Sequence, residues 1–341
     1  MSAATPAPIE HVVIIVKENH TFDNYFGTFP GANGAQLTQA PDPIADPRHD
    51  HVAWLESIKT GGGINRQYTQ QDIAAYWALA QQYTLCDNYF TDVASQSEPN
   101  HLFLIAADSP VIDDTSAHRT YQPQPPYTLP SLPVTLAAAG RTWRNYADPN
   151  ESYFDHIADL KGNAWNVPAA QFDTDVTAGF LPDVAWLYAP YGLSEHPGGH
   201  APAVGPGMQW TVEQVQKVAA SQLWATTAIF ITWDDWGGWY DHVTPPLQSK
   251  WQGAGPKGYA GSQFRYGPRV PCLVISPYAK QQIDHQFNSH VSIVKFCLRL
   301  FGLTPWKAPT LASTDPSGDL WECFDFTAPP RLGIPSITPA P

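Results

Sequence analysis

A chain of 341 residues holds one large α/β domain or two smaller ones and can bury a substantial core. Its 31 acidic and 18 basic residues leave a formal charge of −13, which repels nucleic acid and anionic membrane surfaces at long range. An anionic substrate would need a local cation, most simply a metal, to reverse that field at its site. The four cysteines, Cys86, Cys272, Cys297 and Cys323, show no CxxC spacing, so neither a zinc knuckle nor a dithiol redox motif is indicated. Cys272 and Cys297 sit in apolar runs and read as buried thiols, with one disulfide left open. No stretch is apolar for long enough to span a membrane, and Met1 to Pro8 shows neither the basic nor the apolar region of a signal peptide. Thirteen Trp, 15 Tyr and 34 Pro suggest aromatic-lined loops on a rigid scaffold rather than disorder.

The first element is Val12–Val16, a continuous β-branched run of the kind buried on both faces of a parallel sheet. It stops at Glu18, Asn19 and His20, and in open α/β sheets the chemistry gathers at such strand ends. Residues 28–70, rich in Gly and Pro, read as an irregular excursion, and a loop that long inside a compact domain is usually functional. The spacing predicts a helix over Asp72–Gln82, a short strand within Thr84–Thr91, and a buried helix after Asn100 with Pro99 in its first turn. Ser97 then lies at or just before that helix, where the bland role for a serine is an N-cap. A short helix over Val134–Ala139 and a strand over Arg141–Tyr146 follow, and residues 168–192 carry few signals. Trp210–Leu223 reads as a helix that feeds the strand Thr227–Trp233, which stops at Asp234 and Asp235. The last unit is strand Val270–Ser276 and helix Val291–Phe301, ahead of an irregular tail over residues 305–341. Alternating strands and helices without a repeat or linker imply one domain over residues 1–341, an α/β sandwich around a mostly parallel sheet.

The strongest unaided signal is that two strands end alike, one in Glu18-Asn19 and the other in Asp234-Asp235. Neighbouring strands would bring three carboxylates together, whose repulsion amounts to several kcal/mol at an effective dielectric of about 20. A divalent cation with oxygen ligands relieves it.

These segments also carry a resemblance. Ile9-x-His-Val-Val with Glu18-Asn-His-Thr-Phe-Asp-Asn-Tyr-Phe-Gly27, then Asp234-Asp-Trp-Gly-Gly-Trp-Tyr-Asp-His-Val243, resemble motifs of the bacterial phosphoesterase family of phospholipases C and acid phosphatases, related to the alkaline phosphatase superfamily. The segments Ser97-x-Pro-Asn-His101, Ser194-Glu-His-Pro197 and Gly267–Lys280 are similar to further motifs of that family, in the same order along the chain. The resemblance implies an alkaline-phosphatase-like sandwich and a hydrolase of phosphoric esters that works through a phosphoseryl intermediate. It implies Ser97 as nucleophile, favoured by its register with Pro99 over the competing Ser95. A divalent metal (Ca, Mn, Zn or Mg) would be held by Glu18, Asn19, Ser97, Asp234 and Asp235.

His196 is implied as phosphate donor or leaving-group acid, and His49, in Asp46-Pro-Arg-His49, as a second pocket histidine. Asn100 and His101 would bind the phosphoryl group or brace the helix start. Asp241-His242 reads as turn chemistry, and His290 lacks the family's acidic neighbour. The substrate is then a phosphate ester, a small molecule or a phospholipid head group. The absence of the larger phospholipases' C-terminal domains leans toward soluble phosphomonoesters, while the many aromatics suit a choline head group. Family members are commonly exported, so a periplasmic or secreted location is implied, with a cytoplasmic one left open. A reading from another class is a non-catalytic carbohydrate binder whose acids hold a structural Ca²⁺. Oligomeric state is not legible.

Overall fold

In the computed structural model, residues 7–117, 120–149, 151–198, 203–306 and 314–339 are described. The strands that matter are β1 (His11–Lys17), β2 (Thr84–Cys86), β3 (Trp143–Tyr146), β4 (Asn166–Val167), β5 (Val184–Tyr188), β6 (Thr227–Trp233), β7 (Cys272–Ile275) and β8 (Gln282–Asp284). They form one eight-stranded sheet in the order β8-β2-β7-β6-β1-β5-β3-β4. Every pairing in it is parallel except the two made by β7. The mostly parallel α/β sandwich expected from the sequence is the fold the chain adopts.

The helices are α1 (Phe22–Phe26), α2 (His51–Thr60), α3 (Ala74–Gln82), α4 (Ser97–Ala106), α5 (Leu132–Ala138), α6 (Gln171–Thr177), α7 (Val204–Ala219) and α8 (His290–Leu300). They pack in two groups, α4 with α5 and α8, and α3 and α6 with α7. Consecutive residues of β1 and β6 are all buried, Val12 to Lys17 and Thr227 to Trp233, so both faces of the central sheet are covered.

Differences from the sequence reading have local causes. The excursion at 28–70 is not wholly irregular, since it holds α2, capped by the Asp50 carboxylate on the Ala53 N–H (2.8 Å) and closed by Gly61 at φ 94°. Helix α7 starts at Val204, six residues before the predicted Trp210, and ends at Ala219. Pro206 falls in its first turn, where a missing N–H costs nothing. Gly207 lets the helix press on the preceding loop, because a Cβ there would lie 2.4 Å from the Glu195 side chain. The stretch with few signals, 168–192, contains α6 and the central strand β5. Of the tail, residues 307–313, 340 and 341 lie outside the described residues, and the rest is irregular apart from a 3₁₀ turn at Trp321–Cys323. All four cysteines are free and buried.

Candidate active site

Register decides what meets at the sheet's carboxyl edge. β1 and β6 run parallel from His11 opposite Thr227 to Lys17 opposite Trp233, so Glu18-Asn19 and Asp234-Asp235 leave the sheet side by side. The Asp234 N–H donates to the Lys17 carbonyl (2.9 Å), and the Asn19 N–H donates to Asp234 Oδ1 (3.0 Å). Asn19 takes a left-handed backbone, φ 63°, which asparagine tolerates better than most residues. The indole N–H of Trp239 holds its carbonyl at 3.0 Å.

Helix α4 brings in the second set. Ser97 is its first residue, with Gln96 at the cap position making no side-chain cap, while Asp114 Oδ1 accepts from the Glu98 N–H at 2.7 Å. The hydroxyl is therefore not an N-cap. It donates to Asp235 Oδ2 at 3.1 Å. One turn on, buried His101 places Nε2 3.3 Å from Asp234 Oδ2 and 3.4 Å from Glu18 Oε1. Asn100 does not reach the cleft: its oxygen accepts from the N–H groups of Asp92 and Val93, and its nitrogen donates to the carbonyls of Val93 and Gln96. Ser95 is turned away onto Asp113.

Two histidines complete the rim. His49 fixes its Nδ1 on the Pro47 carbonyl (2.7 Å) and His196 fixes its own on the Pro197 carbonyl (2.8 Å), which turns both Nε2 atoms inward. His49 Nε2 lies 4.0 Å from Asp235 Oδ2. Both Nε2 atoms lie within 3.2 Å of the Asn19 amide. The loop that carries His196 is anchored from below by Glu195, whose buried carboxylate meets Lys17 Nζ (3.3 Å), Tyr25 OH (2.8 Å), Tyr76 OH (2.5 Å) and Trp233 Nε1 (3.1 Å).

Of the side chains predicted as ligands, Glu18 and Asp234 fall in one close group with His101, and Asp235 adjoins it through Ser97. Glu18 and Asp234 face buried His101 and Asp235 faces buried His49, and no lysine or arginine lines the cleft above them among the described residues. Burial alone would push His101 down, but Asp234 and Glu18 overcome it and raise the imidazole to about 9. Burial works against Asp234 too, yet its contacts with His101 hold it well below the usual carboxylate range. Burial and the neighbouring Asp234 push Asp235 well above that range.

Several buried polar atoms stay orphaned: Asp234 Oδ2 and both ring nitrogens of His101 make no hydrogen bond of proper geometry. The Asn19 amide donates to Glu18 (3.2 Å) and Asp234 (3.1 Å) and accepts from His49 and His196; a cation between the two carboxylates would take its oxygen instead. One ligand atom each from Glu18, His101 and Asp234 fall within 4.8 Å of one another, as do Asp46, His49 and His196. These donors fit a divalent metal, with His101 joining a set from which the sequence had left it out, as a phosphoryl-binding or helix-bracing residue.

The cleft above has a volume of about 410 Å³. Its outer wall contains residues the sequence reading did not single out, Asp114, Glu151, Tyr153 and Tyr191. Burial raises Asp114 and Glu151 to about 7. They stand on irregular segments without periodicity; the one available signal was the Asp113-Asp114 pair that closes the segment after α4. Asp241 and His242, read in the sequence as turn chemistry, lie away from the cleft lining. Asp241 pairs with Arg269 (2.8 Å) and His242 with Asp23 (2.7 Å). His290 supports the site from beneath, with Nε2 2.7 Å from the Asp234 carbonyl.

The pattern that defines the Phosphoesterase family matches residues 9–48 and 46–304. Non-hemolytic phospholipase C of Pseudomonas aeruginosa is 28% identical over 96% of this chain and 59% of its own length. Phospholipase C B of Mycobacterium tuberculosis is 27% identical over 96% of this chain and 80% of its own. The chain therefore spans about three fifths of the Pseudomonas protein. Among solved structures, the lipoteichoic acid synthase LtaP of Listeria monocytogenes superposes with a TM-score of 0.52 at 10% identity, covering 91% of this chain and 75% of that one, a likeness of fold.

Proposed function

The chain belongs to the phosphoesterase family, and from that premise we propose that it hydrolyses phosphoric esters with Ser97 as nucleophile. The observation that carries the reading is the Ser97 hydroxyl at the floor of the cleft, 3.1 Å from Asp235 and beside the cluster of Glu18, Asn19, His101 and Asp234. In that reading the cluster, with Asp235, holds a divalent cation, which when bound lowers the hydroxyl pKa and neutralises phosphoryl charge.

The protein's own groups do the rest. Asp235 takes the hydroxyl hydrogen, which leaves the oxygen's lone pairs for in-line attack at phosphorus. The bond to the departing alcohol breaks as the Ser97–phosphorus bond forms. His196, held by the Pro197 carbonyl, gives a proton to the leaving oxygen. His49 and the Asn19 amide steady the phosphoryl oxygens, and water then cleaves the phosphoseryl intermediate. Adjacent N–H groups at the start of α4 favour the negative charge that develops there.

The cleft wall supports a phosphodiester whose retained head group, the one left on phosphorus, carries a positive charge. Above about pH 7, where Asp114 and Glu151 are ionised, they and Asp46 attract a cation and repel a dianionic monoester, and Tyr153 and Tyr191 offer aromatic faces to a quaternary ammonium group. This favours phospholipase C chemistry on a phosphocholine-type diester over soluble phosphomonoesters. The test compares turnover of p-nitrophenyl phosphorylcholine and p-nitrophenyl phosphate by the native protein and by Ser97→Ala. Faster cleavage of the choline ester is expected, with a loss of at least about a thousandfold in Ser97→Ala. Full activity in that variant removes the mechanism. Chelation should abolish turnover and added divalent metal should restore it; turnover that survives chelation would remove the metal from the mechanism.

A further inference from the structure

At the β8–β2–β7 edge, away from the cleft, register lines up three reactive side chains in one row. Asp284 of β8 stands opposite Cys86 of β2, and Cys86 stands opposite Cys272 of β7. Residues paired across neighbouring strands point to the same face of a sheet, so the row presents one carboxylate and two thiols together. Cys323 covers that face from the 3₁₀ turn Trp321–Cys323. The turn is fixed there by the Lys280 N–H on the Cys323 carbonyl (2.8 Å) and by the bridge between Ala279 and Phe324. Ligand atoms of Cys86, Cys323 and Asp284 lie within 4.8 Å of one another, and the thiol of Cys86 also touches that of Cys272.

Buried thiols alone would be ordinary core. The carboxylate is what needs an explanation. Asp284 is 6% exposed, and among the described residues no basic side chain comes within ion-pair distance of it. Its Oδ2 is steadied by Asn288 Nδ2 at 2.9 Å, the kind of outer hydrogen bond that orients a ligating carboxylate.

We infer that Cys86, Cys323 and Asp284, with Cys272 at their side, form a closed structural site for a zinc-like divalent cation that clips the C-terminal segment to the sheet edge. Thiolate and carboxylate ligands in a tetrahedral set match zinc, whose bonds to sulfur of about 2.3 Å need sulfur atoms about 3.8 Å apart. Binding expels the protons of the ligating thiols, and removal of the ion should loosen residues 314–326 first.

Cobalt separates this site from the catalytic one, because only thiolate ligands give near-ultraviolet sulfur-to-cobalt charge transfer and the cleft offers only nitrogen and oxygen. Reduced protein stripped of metal and titrated with Co²⁺ should develop that absorption with one equivalent, alongside any spectrally silent binding at the cleft. Cys323→Ala should abolish it, and Cys297→Ala, outside the cluster, should keep it. Saturation of the reduced, metal-stripped wild-type protein with cobalt without the sulfur band overturns the proposal, and that reading needs no variant to fold. So does a band that survives Cys323→Ala, or a thiol count in the unfolded, unreduced protein of two rather than four.

Discussion

Ser95 and Ser97 are two positions apart, yet the backbone at the head of α4 sends one hydroxyl to Asp113 and the other to Asp235. Glu195 shows the same dependence on position. It carries a left-handed backbone at φ 75°, uncommon for a residue with a Cβ, and four donors converge on its carboxylate to hold it there. Its neighbour His196 points into the cleft because of that anchor. Lys17 and Glu195 are both fully buried, so removing one charge strands the other. Glu195→Gln keeps the shape but leaves Lys17 without a counter-charge and turns an amide N–H toward a tyrosine or tryptophan donor. The expected cost is about 3–5 kcal/mol in urea denaturation, with a fall in turnover as the His196 loop loosens. A change below about 1 kcal/mol would show that the pair does not brace the loop.

At the scale of elements, β1 and β6 were legible because a strand buried on both faces is a continuous apolar run with a sharp polar end, and the register then placed Glu18, Asn19, Asp234 and Asp235 together. Helix α8 was found within one residue of its observed ends, since its apolar face repeats at helical spacing. β5 was hidden because Val-Ala-Trp-Leu-Tyr has a single β-branched residue, and periodicity alone cannot assign so short an apolar run without that enrichment. α2 was hidden by the glycines and prolines around it, although Asp50 and Gly61 were its cap signals. Tyr153 and Glu151 reach the cleft from irregular chain, which no pattern announces.

The loop after β6 also needs a glycine for a reason visible only in three dimensions. Gly237 sits at φ 57°, and a Cβ there would lie 2.3 Å from the Asn19 carbonyl oxygen. Gly237→Ala should therefore push Asn19 away from Glu18 and Asp234. The expected loss is about 2 kcal/mol or more in the denaturation midpoint, with a larger loss of turnover. Gly333→Ala, where a Cβ would meet nothing within 4 Å, is the control and should stay within about 0.5 kcal/mol of the native protein.

For the whole molecule the governing quantity is the formal charge of −13. It opposes the approach of a dianionic monoester from a distance, and the carboxylates of Asp46, Asp114 and Glu151 continue that field to the cleft wall. A phosphocholine diester is zwitterionic, so the long-range field neither draws nor repels it, and the same wall becomes attractive once its ammonium end arrives. Added NaCl separates the two cases, because screening falls from about 30 Å at 0.01 M to about 8 Å at 0.15 M. Over that range kcat/KM for p-nitrophenyl phosphate should rise roughly two- to fivefold as repulsion is screened. For p-nitrophenyl phosphorylcholine it should stay level or fall, because the only term left to screen is the local attraction. Equal responses would mean that the acidic wall does not sense the substrate's charge, and the preference for a cationic head group would lose its support while Ser97 chemistry stood untouched.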